Sequence, residues 1–126
     1  MSTPFLFGLA ATLCAIVGLA HSVLGERYIL TRLFRRSELP PLLGGTEFTR
    51  RTLRFAWHLT SLAWWGFAAL FASMAQGPLT TARTCAVLAI VFLINAAVTF
   101  GASRGRHLAW PIFLAIGVIA ALGARG

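Results

Sequence analysis

The sequence contains no lysine and no aspartate, and its only acids are Glu26, Glu38 and Glu47. Every basic residue is therefore an arginine, eleven in all, for a net charge of +8. The missing aspartate rules out a Ser-His-Asp triad, and no G-x-S-x-G elbow occurs. No acid lies inside a long apolar stretch. That removes the membrane-embedded carboxylate on which a small proton-coupled exporter depends. Charged residues of any kind make up 11% of the chain, against about 25% in a soluble domain. No internal repeat is visible, and the length of 126 residues allows one domain, 1–126.

What fills the chain instead is apolar: 58% of its residues are hydrophobic. A chain this apolar would not stay monomeric in water, so the bilayer is the expected solvent. A spanning helix needs about 20 mostly apolar residues. Four stretches qualify, and they predict helices over approximately 4–25, 53–75, 84–102 and 107–124. The expected fold class is all-α, an integral membrane four-helix bundle. The first stretch lacks a positive region before it and carries arginines after it, which predicts a retained helix and not a cleaved signal peptide.

Arginine placement predicts orientation. Arg27, Arg32, Arg35, Arg36, Arg50, Arg51 and Arg54 fall between the first two helices, and Arg104 and Arg106 between the last two. Only Arg83 and Arg125 fall on the other side. The bias puts the arginine-rich loop in the cytoplasm and both termini on the periplasmic or outer side of a bacterial-type inner membrane, as a multi-pass protein. A pI near 11.8 can suggest nucleic acid, but these arginines cluster between apolar segments, where anionic headgroups are the expected partner. No nucleic-acid binding is expected.

The two cysteines, Cys14 and Cys85, are expected at different depths, about 15 Å apart along a helix. A disulfide needs Cα atoms within about 7 Å, so none is predicted. Residues 27–36 read either as an amphipathic segment at the headgroups or as a plain helix extension. Two prolines and two glycines in 37–45 predict a loop, and Thr46 is placed to cap the next helix. Helix one is rich in small residues, and Gly18, Ser22 and Gly25 share a stripe with His21. Such stripes let helices approach closely in lipid. They also predict self-association or membership of a larger membrane complex.

The three histidines carry the chemistry. Depth along each helix places His21, His58, His107 and Asn95 in one inner layer. Ser22 and Glu26 lie beside His21, Arg54 and Ser61 bracket His58 at i−4 and i+3, and Thr99 is one turn from Asn95. Three readings stay open. The first is a transition-metal site for zinc, iron or copper, with His21, His58 and His107 as ligands and Glu26 and Asn95 as further ligands or supporting partners. The second is haem b or a quinone, held by His21 and His58 with Arg54 near the propionates. The third is a non-catalytic accessory or assembly subunit. There the histidines hydrogen-bond between helices or contact anionic lipid. Whether the protein is an enzyme is left open by these residues.

Overall fold

The computed structural model describes all 126 residues. The chain is all-α, with four helices and no strand. Helix α1 runs over Thr3–Leu33, and its segment Gly25–Leu30 is π-helical. Helix α2 is Thr46–Ala75, α3 is Thr81–Ser103 and α4 is Ala109–Gly123. Helices α1 and α3 are long and apolar enough to cross a membrane. Helix α2 is long enough, but its first turns carry Arg50, Arg51 and Arg54. Its apolar part is diluted by His58 and three tryptophans. Helix α4 is apolar but has only 15 residues.

The four helices form an open row. Helix α1 packs along α2, α2 along α3, and α3 along α4, and α1 packs against neither α3 nor α4. The reason lies in where the small residues face. A Cβ at Gly18 would stand 2.6 Å from Trp65 Nε1, and one at Gly25 would overlap the Trp57 indole. Both glycines therefore serve the α1–α2 contact. Gly66 meets Val91 across α2–α3, and Gly117 meets Leu93 across α3–α4. Each crossing has its own glycine, and the remaining glycine of α1, Gly8, meets nothing within 4 Å. The outer sides of the row remain exposed, with Leu13 and Ile16 of α1 and Ile112 and Ile119 of α4 among the exposed residues.

The helix ends follow local chemistry. The helix extends through 27–33 without a break, and the π turn is closed by the Thr31 backbone N–H donating to the Glu26 carbonyl, to which the Thr31 hydroxyl also donates. A π turn adds one residue to the turn and rotates the rest of the helix, a device common at functional positions. Thr46 does not cap α2. It is the first helical residue, and Gly45 precedes it with φ 142°. Thr49 instead donates to the Pro40 carbonyl at 2.6 Å, anchoring the loop to the helix. Thr80 does cap α3, accepting from Arg83 N–H at 3.2 Å. The α3 end turns through Arg104 and Gly105, both at positive φ, with Gly105 N–H bonded to the Phe100 carbonyl at 2.8 Å. Arg106 then donates to the Leu43 carbonyl at 2.6 Å. That bond ties the long loop to the short turn, so both arginine-rich connections lie at one end of the row.

Candidate functional site

The α1–α2 interface contains a continuous side-chain network. His21, Ser22 and Glu26 lie on one side of α1, and Arg54, His58 and Ser61 on the facing side of α2. Ser61 is 1% exposed and joins both helices. Its Oγ lies 3.0 Å from His21 Nδ1 and accepts from Ser22 Oγ at 2.8 Å. Ser22 Oγ is also 2.9 Å from His58 Nδ1. The other nitrogen of His58, Nε2, faces Glu26 Oε2 at 3.3 Å. Glu26 Oε1 takes Arg54 at 3.0 Å. The result is a chain from His21 through Ser61 and Ser22 to His58, Glu26 and Arg54.

Two consistent proton orderings satisfy this chain. When Ser22 donates to Ser61, its oxygen accepts from His58 Nδ1–H, and Ser61 donates to His21 Nδ1. Both nitrogens of His58 then carry protons, and an imidazolium faces the Glu26 carboxylate. When both hydroxyls reverse, His21 Nδ1–H donates to Ser61, Ser61 to Ser22 and Ser22 to His58. His58 is then neutral and donates Nε2–H to Glu26. Passing between the two moves one proton from His58 to His21 through two hydroxyls.

Trp57 locks the His21 end. Its indole stacks on the imidazole at 4.5 Å with a 10° tilt, and its Nε1–H donates to the His21 carbonyl at 3.0 Å. That approach requires Gly25 to lack a side chain. Trp65 repeats the arrangement deeper, with Nε1–H donating to the Ala15 carbonyl at 3.2 Å.

The structure separates His107 and Asn95 from this network. His107 lies beyond α3, between aromatic rings: Phe48 at 6.3 Å and Phe55 edge-on at 5.1 Å. Its Nδ1 accepts from Ala109 N–H at 3.2 Å. Asn95 is buried on α3, and its Oδ1 has no hydrogen-bond partner. It faces an apolar groove shared with Phe92 and Phe113. Equal depth therefore did not mean a common site: in an open row, α3 and the turn before α4 lie on the far side of α2 from α1. No three His, Cys, Asp or Glu side chains group as a metal ion would need. The expected set of His21, His58, His107, Glu26 and Asn95 is thus brought together only as His21, His58 and Glu26. Cys14 and Cys85 are free thiols.

A second feature adjoins the network. A pocket of about 610 Å³ opens between the end of α1, α2 and α3, with Arg50, Arg51, Arg54 and His58 in its wall. Phe34 lines it as well, with the Arg54 guanidinium over its ring at 5.0 Å. Of the three arginines, Arg54 is paired to Glu26, and Arg51 to Glu47 at 2.8 Å. Arg50 has no carboxylate partner, and its buried Nε has no hydrogen-bond acceptor. Three guanidiniums against Glu26 and Glu47 leave one formal positive charge, centred on Arg50. The signal in sequence was the i, i+1, i+4 spacing of 50, 51 and 54, which puts three guanidiniums around one helix shoulder.

Glu47 sits at the rim, outside the apolar part of α2. The hydrogen bond from Arg51 holds its carboxyl below the ordinary value of 4.5; desolvation opposes this, and the charges of Arg51, Arg50 and Arg104 add to the lowering. A lowered pKa in the folded state stabilises above pH 4.5 and is lost as pH falls through the lowered value. Arg51→Ala should therefore move the Glu47 titration midpoint upward, toward 4.5. Carboxyl ¹³C shifts followed against pH read this directly. An unchanged midpoint would mean that Arg51 is not the cause.

Compared with protein-family models, with curated proteins and with solved structures, the chain matches none.

Proposed function

We propose that the chain is a four-span accessory or assembly subunit of a bacterial-type inner membrane that holds an anionic lipid headgroup in its arginine pocket. In this reading both termini face outward and the arginine-rich connections lie inside. The Arg106–Leu43 bond supports it, because it gathers the long loop and the short turn at one end. Helix α4 is about 22 Å long against a hydrocarbon core of about 30 Å. Local thinning or the residues before Ala109 make up the difference. The exposed outer sides of the row face lipid, a second copy or a larger complex.

The single observation that carries the headgroup reading is Arg50. A guanidinium with a buried, unpaired Nε lines a pocket with two further arginines. Arginine presents donors in a planar fork that fits phosphate oxygens. The histidines in this reading join α1 to α2. The alternative of a metal centre finds two imidazoles and one carboxylate already hydrogen-bonded to serines and to Arg54. The alternative of haem meets a related obstacle. The two rings are bridged directly by Ser22 and Ser61, which leaves no slot between α1 and α2 for a macrocycle.

The test is lipid retention. In nanodiscs of mixed phosphatidylglycerol and phosphatidylcholine, native mass spectrometry should find phosphatidylglycerol enriched on the protein. Each arginine near a membrane surface is worth about 1 kcal/mol. Arg50→Ala combined with Arg54→Ala should therefore reduce the enrichment about 30-fold. Arg32→Ala, outside the pocket, should leave it unchanged. Equal retention of the two lipids by the unaltered protein would overturn the reading.

A further inference from the structure

We propose that the arginine pocket is the head of a longer site, and that one acyl chain of a phosphate-bearing lipid lies in the groove between α2 and α3. This rests on the headgroup reading above and adds the part of the ligand that lies in the hydrocarbon. The groove has a volume of about 200 Å³ and is lined by Leu62, Trp65 and Ala69 of α2 and by Val87, Ile90 and Ile94 of α3. On α2, His58, Leu62, Trp65 and Ala69 follow at spacings of four, three and four, so they share one face. On α3, Val87, Ile90, Ile94, Val98 and Gly101 do the same in reverse. The groove and the pocket therefore lie on the same side of the row. From Arg54 to Ala69 the path is fifteen residues, about 22 Å. It starts among guanidiniums and ends among aliphatic side chains, which is the polarity profile of a lipid entering a leaflet.

The walls are built to stay in place. Trp65 is fixed by its hydrogen bond to the Ala15 carbonyl at 3.2 Å. The floor is the α2–α3 crossing, where a Cβ on Gly66 would come within 3.0 Å of Val91 Cγ2. The small side chain of Ala69 leaves room above that floor. A second apolar groove lies on the opposite side of the same crossing, with Leu59, Phe67 and Phe92 among its residues. Its polar group is the neutral Asn95, and no arginine lines it. Only the first groove is in line with the charged pocket, beginning one helical turn beyond it at Leu62 and Ile94 where the pocket ends at His58 and Val98, and that alignment selects a lipid with an anionic head over a neutral apolar molecule.

Chain length is the readout. Palmitoyl and hexanoyl lysophosphatidic acid carry the same head, and their binding to the full-length protein in maltoside micelles can be compared by native mass spectrometry. The palmitoyl form should bind about tenfold more tightly, because its chain fills the groove and makes dispersion contacts along it. Ala69→Leu should abolish that preference and leave hexanoyl binding unchanged. Val87→Phe, from the opposite wall, should do the same, which guards against one variant misfolding. Equal binding of the two lipids to the unaltered protein, or a preference that survives both substitutions, would overturn the groove and leave the headgroup reading standing. Failure of both lipids to bind would remove the headgroup reading, and this inference with it.

Discussion

Gly25→Val should separate α1 from α2 and cost about 1–3 kcal/mol, the usual range for forcing extra methyl groups into a packed contact. The position is unforgiving because its neighbour cannot move alone. A Cβ there overlaps the Trp57 indole. That indole is stacked on His21 at 4.5 Å and bonded to the His21 carbonyl at 3.0 Å. Swinging it aside gives up both contacts, and His21 then loses the surface that orients its Nδ1 toward Ser61. Unfolding in mixed micelles, followed by Trp fluorescence, measures the loss. Gly8→Val is the control, since a Cβ at Gly8 meets nothing within 4 Å, and it should be close to neutral. Equal stability of the two variants would refute the close-contact account of the α1–α2 crossing.

Ser61→Ala should cost about 1–1.5 kcal/mol, the sum of two interhelical hydrogen bonds at the values typical within lipid. The number is modest, but the spectroscopic effect should be large. Ser61 is the one hydroxyl that touches both His21 and Ser22, so its removal leaves His21 with no route to His58. The ¹⁵N shifts of the two rings report their hydrogen bonds, and in Ser61→Ala both should change: His21 loses its partner, and the freed Ser22 hydroxyl turns toward His58. A change confined to His21 would show that the chain of bonds does not couple the histidines. Ser22→Ala gives the partner measurement for a double-mutant cycle, and the two substitutions should be far from additive.

How much of this was legible in the sequence differs between depth and direction. Depth could be read by counting residues from the apolar boundary. It placed His21, Ser22, Glu26, Arg54, His58 and Ser61 in one layer, and the spacing of 54, 58 and 61 placed three of them on one face. Direction around each helix could not be read for helices whose neighbours were unknown. His107 and Asn95 share the depth but take no part in the network between α1 and α2. The open row itself follows from glycines whose partners lie on other helices: Gly18 and Gly25 signal close approach without saying to what. Nothing in the periodicity of α2 alone sets Trp57 apart from its other tryptophans. What identifies its role is Gly25 opposite it, a long-range pairing that single-helix periodicity does not contain. The arginine pocket was half visible, as Arg54 with neighbours. The unpaired state of Arg50 depends on where Glu26 and Glu47 go, and the Glu26 half of that answer depends on the π turn.

The neighbour-by-neighbour order of the helices has a consequence for biogenesis. No helix in the row waits for a later one to return to it, because each packs against the segment made just before it. Every side chain of the network from His21 to Arg54 lies in α1 or α2. The network can therefore close while α3 is still within the ribosome. The pocket and the groove between α2 and α3 come into being one step later, when α3 docks. A nascent chain stalled after α2 would carry its histidine pair already bonded and its arginine pocket still incomplete, which separates the two features in time as well as in space.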